Sequence, residues 1–280
     1  MTGGKAFDFC KTSTDYAKYR NIYPESFYEK IASLGLCTNG QKVLDAGTGT
    51  GVLPRFMKKC GAQWTEIDIS ENQIKEAERL SNMDKNGKNC QYFVRTAEET
   101  GFNPSSFDVI TACQCYWYFN HERAAKEFSR ILKPAGKLLL LEMNWLPFED
   151  KIAGKSENLV LKYNPAWNEK GNTLKPLSIP PEYEKYFTVA KHEEWKLPVH
   201  FTRESWNGRM KSCRGTGASL SAERLSQWEK EHLALLKKSC RKNSTFSTMQ
   251  PMPNRKKEAE NNLMVFTLNA GGKLHKLSKT

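Results

Sequence analysis

The segment "VLDAGTGTGVLPRF", Val43 to Phe56, constrains this chain more than any other. It begins apolar, as a buried strand does, passes an acid at Asp45, and then places glycine at 47, 49 and 51 before helix-compatible residues. Glycines so placed let a backbone approach a ligand and turn where a side chain would obstruct both. The phosphate-loop pattern G-x-x-x-x-G-K-[ST] is excluded, because no lysine follows Gly51 at the required place. The dinucleotide pattern G-x-G-x-x-G fails too, since the third glycine comes one residue early. Asp68, in "EIDIS", stands 17 residues after Gly51 at the end of a second strand-like run. An ionised carboxylate there can accept hydrogen bonds from both hydroxyls of a ribose.

The flanking sequence supplies a fold for that turn. "QKVLDAG", "QWTEIDIS", "CQYFVRTA", "FDVITACQCYW" and "KLLLLEMNW" read as five strands. "VLPRFMKKCG", "ENQIKEAERLSNM" and "HERAAKEFSRILKPAG" read as helices. Gly61 ends the first, Ser70 caps the second, and Pro134 with Gly136 stops the third. The fifth strand is apolar throughout, as a strand buried on both faces should be. Strands alternating with helices predict an α/β, doubly wound, mostly parallel sheet. After Asn144 the rhythm breaks, and residues 146–181, rich in Pro, Asn, Lys and aromatics, suggest an inserted lid. "YFTVAKHEEWKLPVHF" reads as a further strand with its continuation, "SAERLSQWEKEHLALLKKSC" as an amphipathic helix, and "FSTMQ" and "LMVFTL" as rival last strands. The expected organisation is a core at 1–145 with a helical lead-in, the lid at 146–181, and strands and helices at 182–280 that complete the sheet before a basic tail.

Four segments in this order resemble the class I S-adenosylmethionine-dependent methyltransferases, over roughly Tyr16 to Glu142: "VLDAGTGTG", "EIDIS", "TAEETGFNPSSFDVI" and "EFSRILKPAGKLLLLE". Within that superfamily the chain looks most like the small-molecule, type 11 branch that includes trans-aconitate methyltransferase-like proteins, where "DYAKYRNIYP" corresponds to a lead-in with Tyr and Arg before Pro. The resemblance implies a Rossmann-like sheet of seven strands with S-adenosyl-L-methionine as cofactor. It implies that Gly47, Thr48 and Gly49 border the methionine part, that Asp68 holds the ribose, and that Ile69 packs on the adenine. Ala97 and Glu98 would lie along the adenine edge and Gln114 beside the methionine moiety, with Tyr19 and Arg20 closing over the cofactor. Asp45 either contacts the cofactor or holds the turn. Thr96 stands where many relatives carry an acid, and Tyr116 where relatives often carry His. Tyr116 and Trp117, just past the fourth strand, are candidates for the acceptor pocket. Arg203, Arg209 and Arg214 read as solvated; the alternative is that Arg209, with Trp206 three apart on one helical face, points into the substrate site. No acid–base pair is conspicuous, so the expected reaction is in-line displacement onto a small-molecule acceptor, with positioning supplying most of the rate. The competing readings are a nucleic-acid methyltransferase and a protein that binds the cofactor without transferring its methyl group.

Charge decides between the first two. The net charge is +12, but from Lys237 to Thr280 ten Lys or Arg face only Glu258 and Glu260, so +8 sits in the tail and +4 in the rest. Base-amino methyltransferases place an Asn-Pro-Pro-Tyr-type run after the fourth strand; "ACQCYWYF" stands there instead. Nucleic acid is therefore the weaker partner. The five histidines show no ligand spacing, and the one close cysteine pair, Cys113 and Cys115, reads as packing, so no metal is expected. Eight cysteines without a framework, an N-terminus "MTGGKAFDFCKTST" without the pattern of a secretion signal, and no apolar run near the roughly 20 residues of a membrane span suggest a cytoplasmic protein. Neutralising Arg255, Lys256 and Lys257 together is expected to leave turnover of a small acceptor nearly unchanged. Turnover of the triple variant across a salt series checks this; a large loss, or methylation of RNA that falls steeply with salt, would reverse the choice of partner.

Overall fold

The computed structural model describes residues 23–83, 90–168, 179–195, 199–239, 246–247 and 263–270. Tyr19, Arg20 and the basic triplet at 255–257 lie outside the described residues. The chain divides into two compact units, one of residues 26–143, 177–194 and 263–280, the other of 1–25, 144–176 and 195–262.

The first unit carries the sheet. Helix α1 (Glu25–Ser33) follows Pro24 and buries Phe27, Tyr28 and Ile31. Then come β1 (Lys42–Ala46), α2 (Val52–Met57), β2 (Gln63–Asp68), α3 (Glu71–Met83), β3 (Cys90–Val94), β4 (Phe107–Cys113), α4 (His121–Ile131) and β5 (Leu132–Met143). The expected end of the first crossover holds: α2 passes into a short 3-10 turn that closes at Gly61, whose φ of 87° is left-handed. β1 pairs parallel with β2 and β4, β2 with β3, and β4 with β5. Adding β6 (Phe187–Trp195) and β9 (Leu263–Ala270), the order across the sheet is β3-β2-β1-β4-β5-β9-β6, with β9 antiparallel to β5. On one face Leu44, Ala46, Ile67, Ile110, Ala112, Leu138 and Leu140 pack with Ala124, Ala125, Phe128 and Ile131 of α4. Phe128 is fully buried there, worth about 2–3 kcal/mol of apolar transfer.

Three expectations need correction. The helix "HERAAKEFSRILKPAG" does not run to Pro134; it ends at Ile131, and Leu132 already pairs with Phe107. The register then shifts before Val109 meets Lys137, so Pro134 and Gly136 form an irregularity inside β5, with Ala135 at a φ of 62°. A Pro that cannot donate to the ladder is tolerated at such a bulge. The continuation of "YFTVAKHEEW" does not extend its strand: β7 (His200–Phe201) pairs with β8 (Phe246–Ser247) in a separate ladder. Of the rival last strands, the one beginning "LMVFTL" enters the main sheet, and the first two residues of "FSTMQ" pair in the small ladder.

The second unit is mostly helical. The stretch expected as an irregular insert contains a regular helix, α5 (Lys151–Tyr163), because Asp150 caps it by accepting from the Ile152 and Ala153 N–H groups. α6 (Arg203–Lys211) starts with a capping box between Thr202 and Ser205, and α7 (Ala222–Ser239) follows. At their centre His232 is fully buried. Its Nδ1 lies 2.8 Å from Asn207 Oδ1 and its Nε2 lies 2.9 Å from Ser156 Oγ, which also accepts from the Trp206 indole N–H at 3.0 Å. Asn207 donates its amide to Glu229, so its carbonyl faces the imidazole and Nδ1 carries the proton. The Trp228 ring stacks on the imidazole at 4.6 Å.

Burial disfavours the imidazolium and pulls His232 down to about 4. A histidine depressed in the folded state adds stability above its unfolded value of about 6.5, and that stability drains away as pH falls toward 4. The window corresponds to up to about 3 kcal/mol. His232→Phe is therefore expected to be less stable than wild type at pH 7.5, with the gap narrowing toward pH 4. Urea unfolding at a series of pH values checks it; a constant gap would refute the buried neutral imidazole.

Candidate functional site

The site forms where the strands of the first unit end. The register sets Ala46 beside Ile67, so the turn leaving β1 meets the last residues of β2. Gly47 and Thr48 both donate their N–H groups to the Ile67 carbonyl, at 2.9 and 3.0 Å, and Gly49 N–H donates to Asp68 Oδ2 at 3.0 Å. The three glycines have φ of 71°, 58° and 70°, which is why other residues are strained at these places. A Cβ on Gly47 would lie 2.8 Å from Cys115 Sγ, and one on Gly51 would lie 2.6 Å from Glu66 Oε2. The turn is thus closed from beneath by β2 and by the residues just after β4.

Asp68 accepts from Ser70 N–H through Oδ1 at 2.9 Å. Burial raises its carboxyl above the usual range, and the Ser70 and Gly49 N–H groups pull back against that rise. Beside it Ile69 is 74% exposed, an unusual position for an isoleucine at the end of a core strand. Ala97 is buried. Glu98 is committed to structure, its Oε1 accepting from Asn120 N–H at 2.7 Å at the start of α4.

Beneath the turn lies a polar row that sequence reading missed. Asp45 pairs in register with Glu66 on β2 and Thr111 on β4, and Glu66 with Tyr92 on β3, so the four side chains share one face of the sheet. Asp45 and Glu66 are nearly inaccessible, and Thr111 fully so. Asp45 accepts from the Thr111 hydroxyl at 2.5 Å, and Glu66 accepts from the Thr48 hydroxyl at 3.0 Å. Burial lifts Asp45 to about 6 against the opposing hydrogen bonds from Thr111 and Thr48. Burial lifts Glu66 to about 7, helped by the Asp45 charge. The alternation in "QWTEIDIS" held the signal: Glu66 is two residues before Asp68 and must share its face.

At the end of β4, Gln114 has a φ of 62°, strained for a residue with a side chain. Its amide donates to the Met143 carbonyl at 2.6 Å. Cys115 Sγ lies 3.1 Å from the Ala46 carbonyl, and burial pushes this thiol well up, in keeping with a packing role. Tyr116 opens a 3-10 turn and is buried, its hydroxyl 3.5 Å from Glu142 Oε2; burial, then Glu142, raises the phenol. Trp117 is 38% exposed.

Trp206 and Arg209 belong to the other unit, and both are buried there. The Arg209 guanidinium lies over the Trp145 ring at 5.1 Å and donates to Cys213 Sγ at 3.1 Å. Among the described residues no group of three His, Cys, Asp or Glu could hold a metal ion. No described helix is long and apolar enough to cross a membrane.

The donor set fits an adenosyl group: a carboxylate for two ribose hydroxyls, and a bare isoleucine face beside it for a flat apolar ring. Comparison with known proteins bears on the family and the fold. Residues 44–140 match the family described as Methyltransferase domain. The chain is 34% identical over 110 residues to a ubiquinone biosynthesis O-methyltransferase of Xanthomonas euvesicatoria, covering 39% of this chain and 45% of that protein. It is 31% identical over 137 residues to a demethylmenaquinone methyltransferase of Thermotoga maritima, covering 48% and 57%. The chain thus spans about half the length of the curated relatives it matches. Among solved structures, a putative type II methyltransferase from Anaeromyxobacter dehalogenans superposes with a TM-score of 0.53 at 17% identity, over 89% of this chain and 94% of that one, which speaks to the fold. Residues 44–140 are thus similar to a methyltransferase domain, and the chain resembles two methyltransferases over part of its length.

Proposed function

We propose that the protein transfers a methyl group from S-adenosylmethionine to a small-molecule acceptor. The observation that carries this reading is the exposed Ile69 beside the Asp68 carboxylate, at the mouth of a left-handed glycine turn. Bound there, the cofactor would supply a methyl group on a sulfonium, whose departure as a thioether needs no protonation. Asp68 would accept from the ribose hydroxyls, Ile69 would cover the adenine, and Ala97 with Glu98 would line its edge. Gly47, Thr48, Gly49 and Gln114 would border the methionine portion, with Asp45 supporting the turn. Tyr19 and Arg20 would close over it.

Tyr116 and Trp117 would line the acceptor pocket, where aromatic faces suit a nearby cation and exclude water. On its sequence alone, 146–181 is assigned as the acceptor lid. Trp206 and Arg209 are assigned to shaping their own unit, since neither side chain is presented to solvent. Relatives named for ubiquinone and menaquinone synthesis bring phenolic and quinol precursors into consideration beside the small acids of the trans-aconitate-like branch. A seven-stranded, cytoplasmic enzyme working on small molecules rather than nucleic acid is the whole of the proposal.

Asp68→Ala removes charge-assisted hydrogen bonds of about 1.5–3 kcal/mol, so cofactor affinity is expected to fall tenfold or more. Gly49→Val is expected to abolish binding, because its φ of 58° strains a branched side chain. Calorimetry with the cofactor and its demethylated product checks both; unchanged affinity in folded variants would overturn the site. A screen of small acids, phenols, amines and quinol precursors with methyl-labelled cofactor, beside an RNA control, tests the acceptor class.

A further inference from the structure

The row beneath the glycine turn holds two buried carboxyls in register on adjacent strands, Asp45 on β1 and Glu66 on β2. Thr48 Oγ1 donates to Glu66 Oε2 at 3.0 Å, and Thr111 Oγ1 donates to Asp45. Two ionised carboxylates side by side in a buried row are strongly disfavoured, so the pair holds its first proton more tightly than either carboxyl would alone. Glu66 also fills the space that a side chain at Gly51 would need. One carboxyl therefore touches the turn at both its second and its last residue.

We propose that Glu66 is a positioning residue for the cofactor turn: it holds the Thr48 hydroxyl, shares one proton with its in-register neighbour Asp45, and cofactor binding displaces that proton. The displacement follows from charge, and rests on the cofactor reading above. S-adenosylmethionine carries an ammonium, a sulfonium and a carboxylate, for a net charge of +1, while its demethylated product is a zwitterion with none. A cation brought over the turn favours the doubly ionised pair; the product does so less. The row thus binds the reactant more tightly than the product as pH rises, and more nearly alike as it falls.

The other groups facing the pair do not supply this behaviour. Lys58 and Cys90 face Glu66; the Lys58 charge favours the ionised carboxyl, and the Cys90 thiol hydrogen-bonds to it. Lys58 is held by a hydrogen bond to Ser81. The Tyr92 phenol beside Glu66 is raised above its usual range, chiefly by burial. Cys37 and Cys115 face Asp45 and are raised well above neutrality, again chiefly by burial. Asp68 acts on Asp45 by its charge. Asp45 and Glu66 are lifted to about 6 and about 7, and Asp68, raised chiefly by burial, is unchanged in Glu66→Gln, so the comparison with that variant isolates the pair.

Two measurements test the proposal. In the free protein, the amide resonances of residues 47–51 should titrate near neutral pH in wild type and move to a lower midpoint in Glu66→Gln, which keeps an acceptor for Thr48 and leaves Asp45 as the ionisable member of the pair. In calorimetry at pH 7 in buffers of different ionisation enthalpy, wild type should release a fraction of a proton on binding S-adenosylmethionine and less on binding the product. Its affinity for S-adenosylmethionine should fall several-fold from pH 8 to pH 6. Glu66→Gln should release less and show a shallower profile than wild type, and Thr48→Val should weaken the linkage while leaving both carboxyls. Equal release in wild type and Glu66→Gln, or equal slopes for reactant and product, would overturn the proposal. If the amides titrate as expected but neither ligand binds wild type, the cofactor reading fails while the shared proton stands.

Discussion

The parallel pairing of β1 between β2 and β4 decides where everything else at the site can be. Because Ala46 stands in register with Ile67, the first peptide groups after β1 find the Ile67 carbonyl directly in reach, and two N–H groups take it. The third turns outward to the Asp68 carboxylate. The turn is therefore held by main-chain bonds to β2 and needs no side chain above it. That is the condition for a ligand to approach the backbone closely. A one-residue slip between β1 and β2 would put Asp45 and Glu66 on opposite faces of the sheet, one of them among leucines, so the buried polar row also fixes the register.

The two faces of the sheet do different work. On one, Leu44, Ile110 and Leu138 stand in register across β1, β4 and β5, with Phe128 of α4 packed upon them. On the other, Thr111, Asp45, Glu66 and Tyr92 lie in line across the same part of the sheet. Burying carboxyls there costs stability unless each finds partners, and the partners are short hydroxyls: Thr111 for Asp45, Thr48 for Glu66. Apolar burial on the first face supplies the driving force that lets the second carry such groups.

What the sequence disclosed tracks what is local. The glycine spacing, Asp68, the Ser70 cap and the close at Gly61 are each readable from a few adjacent residues, because a turn or cap is satisfied by its neighbours. The choice between "FSTMQ" and "LMVFTL" was not readable, since it depends on which segment β5 accepts as its antiparallel neighbour. The irregularity at Pro134 looked like a helix stop because proline and glycine punctuate helices and bulged strands alike. Arg209 looked solvated because charge alone suggests a surface, yet Trp145 and Cys213, distant or only a turn away in sequence, enclose it. The polar network around His232 joins three helices and leaves no pattern within any one of them.

Glu98 shows how a family expectation and a local bond can be compatible. Its Oε1 takes the Asn120 N–H, and Asn120 in turn caps α4 by accepting from Arg123 N–H. The carboxylate thus ties the segment after β3 to the start of the helix after β4. A residue fixed in this way can present its stem along a flat ring without spending entropy when the ligand arrives, since its rotamer is already chosen. Gln114 follows the same logic: its side-chain nitrogen is bound to Met143 O, and its backbone N–H to Leu141 O. Its left-handed backbone is held from both ends by β5, so strain at the carboxyl edge is maintained by the sheet itself. The site is preorganised by strand pairing, and its side chains are set before any ligand is present.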